Sequence, residues 1–221
     1  MAMIDLYTWS TPNGRKISIA LEEMELAYAV HPVNIGNNEQ LAPDFARISP
    51  NNKIPAIVDP DNGLSVFESG AILMYLGDKT GKFYPSEPKT RIRVHEWLMW
   101  QMSAVGPMLG RAHYFLKYNP GKAPFAEQWF FGEAKRLYGV LDRLLASSEF
   151  MCGDYSIADI ATFPWIARHE WQRIDLADYS NVKRWYETLA DRPAVQRGYK
   201  VPDASVEIPL PRRIGATLPA G

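Results

Sequence analysis

The chain has 221 residues, a net charge of −1, 47% hydrophobic residues and one cysteine. That size sustains one large or two small domains with a real core, and the even charge makes nucleic acid a poor partner. A lone cysteine excludes an intrachain disulfide and fits a reducing compartment. Residues 1–5 lack the basic region and apolar core of a signal peptide, and no apolar run nears the ~20 residues of a membrane span, so a cytoplasmic protein without a membrane partner is expected.

Ile4-Asp5-Leu6-Tyr7 alternates like a first strand. Trp9 to Gly14 breaks it. Ile17, Ala20, Leu21 and Met24 then keep helical spacing, which predicts a helix over 14–25. Tyr28 to Val33 reads as a second strand, and Pro32 places it at a sheet edge. Gly36 to Gln40 is a loop, and Pro43 to Ile48 a short helix. Ile54-Pro55 leads into the apolar run Ala56-Ile57-Val58. Asp59-Pro60-Asp61-Asn62-Gly63 is dense turn chemistry, so Ser65-Val66-Phe67 returns as the second arm of a hairpin. A helix follows from Glu68-Ser69, with Ile72, Leu73 and Leu76 inward. This order predicts a thioredoxin-like α/β unit over 1–84.

Gly81 to Pro88 is a linker. Beyond it the pattern predicts an all-helical domain over 89–200. A first helix runs from Thr90 to Met108, with Gly106-Pro107 kinking or ending it. Pro124 to Ala146 is a long helix burying Leu137, Val140, Leu141, Leu144 and Leu145. Ser156 and Asp159 form a capping box for the next helix. Val182 to Ala190 is the last clear helix, and 201–221 is an extended or mobile tail.

Three local features offer chemistry. The backbone before Pro55 can pair with an extended ligand. The free N–H groups at Ser69-Gly70 can hold a carboxylate, and Glu68 an ammonium. Thr11 and Asn13, in the turn after strand one, can donate hydrogen bonds but cannot act as bases at neutral pH. Each feature has a plain alternative, an ordinary turn or a helix cap. Tyr7 reads as strand packing. Cys152 reads as a structural thiol, and Trp165, Trp171 and Trp185 as helical core. His113-Tyr114-Phe115 reads as aromatic packing or as a pocket wall. The four histidines show no metal-ligand spacing, so no metal is expected.

Asn-Lys-Ile-Pro-Ala-Ile-Val-Asp over 52–59 and Phe-Glu-Ser-Gly-Ala-Ile over 67–72 resemble the glutathione-binding half of the glutathione S-transferase family. Trp-Ser-Thr-Pro-Asn-Gly-Arg-Lys over 9–16, Ser49 to Ile57, Trp100-Gln101, Gly106 to Gly110 and Arg136-Leu137-Tyr138 are similar to the bacterial nu class. The resemblance runs to about residue 200. It implies a two-domain fold with a cis bond before Pro55, and a homodimer. It also implies glutathione, reduced or oxidised, as co-substrate, with two bound per site and a small disulfide as substrate.

By the same resemblance, Thr11 and Asn13 face the glutathione sulfurs, and Gln40 and Lys53 lie near the glycyl end. Ile54 pairs with the cysteinyl part, Glu68 and Ser69 contact the γ-glutamyl part, and Gln101 reaches the ligand across the dimer interface. Arg136 either assists there or is a surface ion-pair partner. The family's arginine near position 129 is absent. The implied activity is glutathione-dependent disulfide reduction. Two rivals are a transferase or peroxidase acting on electrophiles or hydroperoxides, and a glutathione-binding scaffold without turnover.

Overall fold

The structure is a computed structural model, and it describes residues 3–211. β1 (Ile4–Thr8) buries Ile4, Leu6 and Thr8 and turns Asp5 and Tyr7 the other way, so its alternation is a true strand period. α1 (Pro12–Glu23) crosses over to β2 (Tyr28–Pro32), which pairs parallel with β1. α2 (Pro43–Ile48) precedes β3 (Ala56–Asp59). β3 pairs antiparallel with β1 and, through a turn closed at Gly63, with β4 (Leu64–Phe67). The sheet order is β2-β1-β3-β4. β2 is therefore an edge strand, as Pro32 predicts, and α3 (Ser69–Thr80) closes the thioredoxin-like unit.

The described chain from 88 to 199 is mostly helical. α4 (Pro88–Trp100) is capped by the Glu87 carboxylate, which accepts from the Thr90 N–H. Of the two outcomes expected at Gly106-Pro107, a kink or an end, the end does not occur. A π-helical turn, Gln101–Val105, leads into α5 (Gly106–Ala112), and a second one covers His113–Tyr118, so the chain stays helical from 88 to 118. The reason is local. Pro107 has no N–H to place on an i−4 carbonyl, and the wider turn relaxes the clash its ring would cause. The Gly106 N–H accordingly reaches back to the Gln101 carbonyl, five residues away.

α6 (Pro124–Leu145) buries Leu137, Leu141 and Leu145, while Val140 and Leu144 are half-buried. α7 (Ile157–Ile166) is buried along its whole length. The predicted capping box is present at its start, with Ser156 and Asp159 in reciprocal contact. α8 (Ser180–Ala190) is followed by α9 (Pro193–Tyr199), which the sequence reading passes over. Residues 201–211 form no helix or strand, yet Val206 and Ile208 rest on the core and the Tyr186 hydroxyl donates to the Pro209 carbonyl at 2.5 Å. Residues 212–221 of the expected tail lie outside the described residues.

α1 joins the two halves. It packs on α7 and α9 as well as on the sheet side, and its Ile17, Ile19, Ala20 and Leu21 are fully buried. Gly198 of α9 lies so close that a Cβ there would stand 2.5 Å from the Ile19 Cα. Around that contact, Ser18 Oγ donates to the Gly198 carbonyl at 2.6 Å. Arg192 grips the Glu23 carboxylate with two bonds of 2.7 Å.

Candidate active site

The N-terminus of α1 and the N-terminus of α3 open into one cleft between the sheet unit and the helices. Its smaller lobe, about 130 Å³, is bounded by Asn13, Lys53, Ile54, Glu68 and Ser69. The larger lobe, about 410 Å³, continues past Asn13 and Glu68 to Lys16, Gln101, Tyr114 and Trp165. Six of the eight predicted site residues thus meet in one place. Thr11 and Gln40 are not part of either lining.

Thr11 is the N-cap of α1, and its Oγ1 accepts from the Gly14 N–H at 3.1 Å. A lone pair is used there, and the hydroxyl hydrogen is left to donate. Gly14 makes this turn possible. A Cβ at that position would stand 2.3 Å from the Trp9 carbonyl oxygen, so no side chain fits where α1 begins. The Asn13 N–H falls in the first helical turn, where no intrahelical acceptor exists.

The Asn13 side chain is held by a residue assigned from sequence to the core. The Trp165 Nε1–H donates to Asn13 Oδ1 at 3.2 Å. An indole N–H can only donate, so the amide oxygen must face it and both amide hydrogens face away. Trp165 is itself fixed from behind. His113 stacks on its ring at 5.7 Å, and Gln172 Nε2 donates to its carbonyl at 3.0 Å. Gln172 also takes the Tyr138 hydroxyl at 2.6 Å and meets His113 Nε2 at 2.9 Å. Burial pulls the His113 imidazole down to about 3, with the nearby Arg168 charge adding to the effect, so the ring is neutral.

Ile54 and Pro55 are joined by a cis peptide, as the resemblance implies. Glu68 occupies the N-cap of α3 at φ 68°, ψ 113°, without making a cap hydrogen bond. That backbone is unusual for a residue with a Cβ and costs on the order of 1–3 kcal/mol. It leaves an exposed carboxylate at the mouth of both lobes.

Lys16 is the residue the sequence reading missed. It is fully buried, and its ammonium donates to Gln101 Oε1 at 2.7 Å, Ser69 Oγ at 3.1 Å and Met102 Sδ at 3.4 Å. Burial pulls it down to about 7, against the opposing pull of the Glu68 charge. Gln101 is completely buried in its own chain and lines the larger lobe. Gln40 offers its backbone carbonyl to Asn52 Nδ2 at 2.8 Å, which ties it to the loop before Lys53. Arg136 grips Glu133 at 2.6 and 2.8 Å, the surface ion-pair alternative.

Tyr7 stacks on His31 at 4.7 Å, a packing role. Cys152 is absent from the cleft, and burial pushes its thiol up to about 12, which disqualifies it as a nucleophile. Among the described residues no cluster of His, Cys, Asp or Glu is arranged to hold a metal ion, and no helix is long and apolar enough to cross a membrane.

Among the described residues, no cysteine lines this cleft. The cleft offers a hydrogen-bond donor at Asn13, amino groups at Lys16 and Lys53, and a carboxylate at Glu68. Those groups suit a ligand that carries both carboxylate and ammonium charge. Family models for the glutathione S-transferase N-terminal and C-terminal domains match residues 2–78 and 111–193, and the chain belongs to the glutathione S-transferase family.

Among its relatives, the disulfide-bond oxidoreductase YfcG of Escherichia coli (strain K12) is 50% identical over 198 residues, spanning 87% of this chain and 92% of its own. A glutathione transferase from Pseudomonas putida, solved with one glutathione disulfide per subunit, superposes with a TM-score of 0.84 at 43% identity, covering 90% of this chain and 92% of its own. Another from Burkholderia graminis, with two glutathione molecules per subunit, gives 0.85 at 44% identity, covering 91% and 89%.

Proposed function

We propose that this enzyme reduces small disulfides with glutathione, two molecules of which occupy the cleft in turn or together. The observation that carries the reading is the Trp165 Nε1–H bond to Asn13 Oδ1, which leaves both amide hydrogens of Asn13, a residue lining both lobes, to donate elsewhere. The first glutathione lies along Lys53, Ile54, Glu68 and Ser69. Its sulfur comes to the start of α1, where the Thr11 hydroxyl, the Asn13 amide and the helix N-terminus stabilise the thiolate.

The thiolate attacks one sulfur of the substrate disulfide. A glutathione–substrate S–S bond forms as the substrate S–S bond breaks, and the departing thiolate takes a proton from water. The second glutathione, as thiolate, attacks the glutathione sulfur of that mixed disulfide. Oxidised glutathione forms and the other half of the substrate leaves as a thiol. Two glutathione thiols are oxidised and one disulfide is reduced, so electrons balance without a cofactor.

The larger lobe, with Trp165 and Tyr114 in its wall, is where the second glutathione and the acceptor fit. The enzyme works as a homodimer in the cytoplasm. The test is glutathione-dependent reduction of 2-hydroxyethyl disulfide beside conjugation of chlorodinitrobenzene. Faster turnover of the disulfide supports the reading. A folded protein at background rate with the disulfide contradicts it.

A further inference from the structure

The floor of the larger lobe holds a cation with no anion bonded to it. Lys16 is completely buried, and among the described residues its ammonium meets only neutral acceptors: Gln101 Oε1, Ser69 Oγ and Met102 Sδ. Glu68 acts on it through space alone. An ammonium is a donor and nothing else, so it dictates how both polar neighbours are turned. Gln101 must present its oxygen to Lys16, which leaves the Nε2 hydrogens facing elsewhere. Ser69 gives Lys16 a lone pair, which leaves its own hydrogen free of that contact.

Those two leftover donors have little to bond to. Gln101 Nε2 is buried with no partner, and Ser69 Oγ has only the weak acceptor Met102 Sδ at 3.5 Å. Gln101 and Lys16 both line the larger lobe. An unsatisfied buried amide and a buried charge without a counter-ion are both unfavourable. A single carboxylate would relieve both, and it would arrive beside the first-turn N–H groups of α3, a helix of 12 residues.

We infer that Lys16 is the positioning residue of a carboxylate subsite, turning the hydrogens of Ser69 and Gln101 toward the ligand and placing a positive charge behind them. The inference rests on glutathione as the ligand. It assigns Lys16 to the γ-glutamyl α-carboxylate and leaves Lys53 to the glycyl one.

The experiment is calorimetric titration of the full chain with reduced glutathione and with 4-aminobutyryl-cysteinyl-glycine. The analogue keeps the ammonium and the thiol and lacks only that carboxylate. The wild type should prefer glutathione by roughly 10- to 100-fold, the range of a charge-assisted hydrogen bond. Lys16→Met should bind glutathione about tenfold more weakly and the analogue as the wild type does, so the preference collapses. Lys16→Gln keeps an amide donor without the charge and should show the same collapse, which covers a Met variant that fails to melt cooperatively. Equal weakening of both ligands, or an unaltered preference, would overturn the role of Lys16. A wild type that binds neither ligand would refute the glutathione reading and this inference with it.

Discussion

A few donor-only atoms set the chemistry of single residues. Trp165 Nε1–H takes the oxygen of the Asn13 amide, and so determines what that amide can give a ligand. Trp165→Phe removes the constraint and keeps the bulk. It should lower kcat/KM for disulfide reduction about tenfold, the worth of one hydrogen bond to a charged group, while Asn13→Ala should lower it by about 10- to 100-fold. Steady-state kinetics of both variants check this, and a Trp165→Phe enzyme at wild-type rate would count against the orientation argument. Glu68 makes the opposite point, that a site residue can weaken the fold. Its φ of 68° suits glycine better than glutamate. Glu68→Gly should therefore raise the unfolding free energy by about 1 kcal/mol and abolish tight glutathione binding. Urea titration and calorimetry would read the two effects separately.

Among the elements, α1 connects the sheet to the helices and also carries Asn13 and Lys16, so its seating governs the site. Gly198 is the tightest point of that seating. Gly198→Ala would press a methyl group into the backbone of α1 at 2.5 Å and should destabilise the protein by about 1–3 kcal/mol, measured as a lower urea midpoint with an unchanged slope. An unaffected midpoint would mean that α1 and α9 can part freely.

The elements also show which parts of the structure could be read in advance. Pro43–Ile48 and the Ser156–Asp159 capping box follow from neighbouring residues alone, and both stand as expected. The hairpin and the helix after it were legible because they are local structures, while the ligand roles of Lys53, Ile54, Glu68 and Ser69 rested on the family resemblance. Lys16 was not legible, because nothing near it in sequence says that Ser69 and Gln101, 53 and 85 residues away, will enclose it. Trp165 was read as core from its helical spacing. It is core by burial, but the bond that matters runs 152 residues to Asn13. The stop expected at Gly106-Pro107 fails for a different reason. The breaker rule assumes an α-helical turn, and a π turn satisfies the same backbone without ending the helix.

For the whole molecule, the site is the end of a buried polar path. Tyr138 bonds Gln172, Gln172 bonds the Trp165 carbonyl and His113, His113 stacks on Trp165, and Trp165 holds Asn13. This path makes acid stability depend on His113. Its folded value near 3 lies below the unfolded value near 6.5, so the unfolded chain binds the extra proton between those limits. Stability contributed by the neutral ring is complete above pH ~6.5 and declines as pH falls toward 3, by on the order of 2 kcal/mol at pH 5. His113→Phe should lose less stability than the wild type between pH 7 and pH 5, and parallel losses would contradict the assignment.

Beneath all of this lies one claim, that the reactive sulfur belongs to the bound tripeptide and is ionised by the start of α1. The most direct measurement is a pH titration of the ultraviolet thiolate absorbance of glutathione bound to the wild type and to Asn13→Ala. The account predicts a bound thiol that ionises well below the ordinary value of about 8.5, and a partial return toward it in the variant. A bound thiol that titrates as it does in free solution would contradict it.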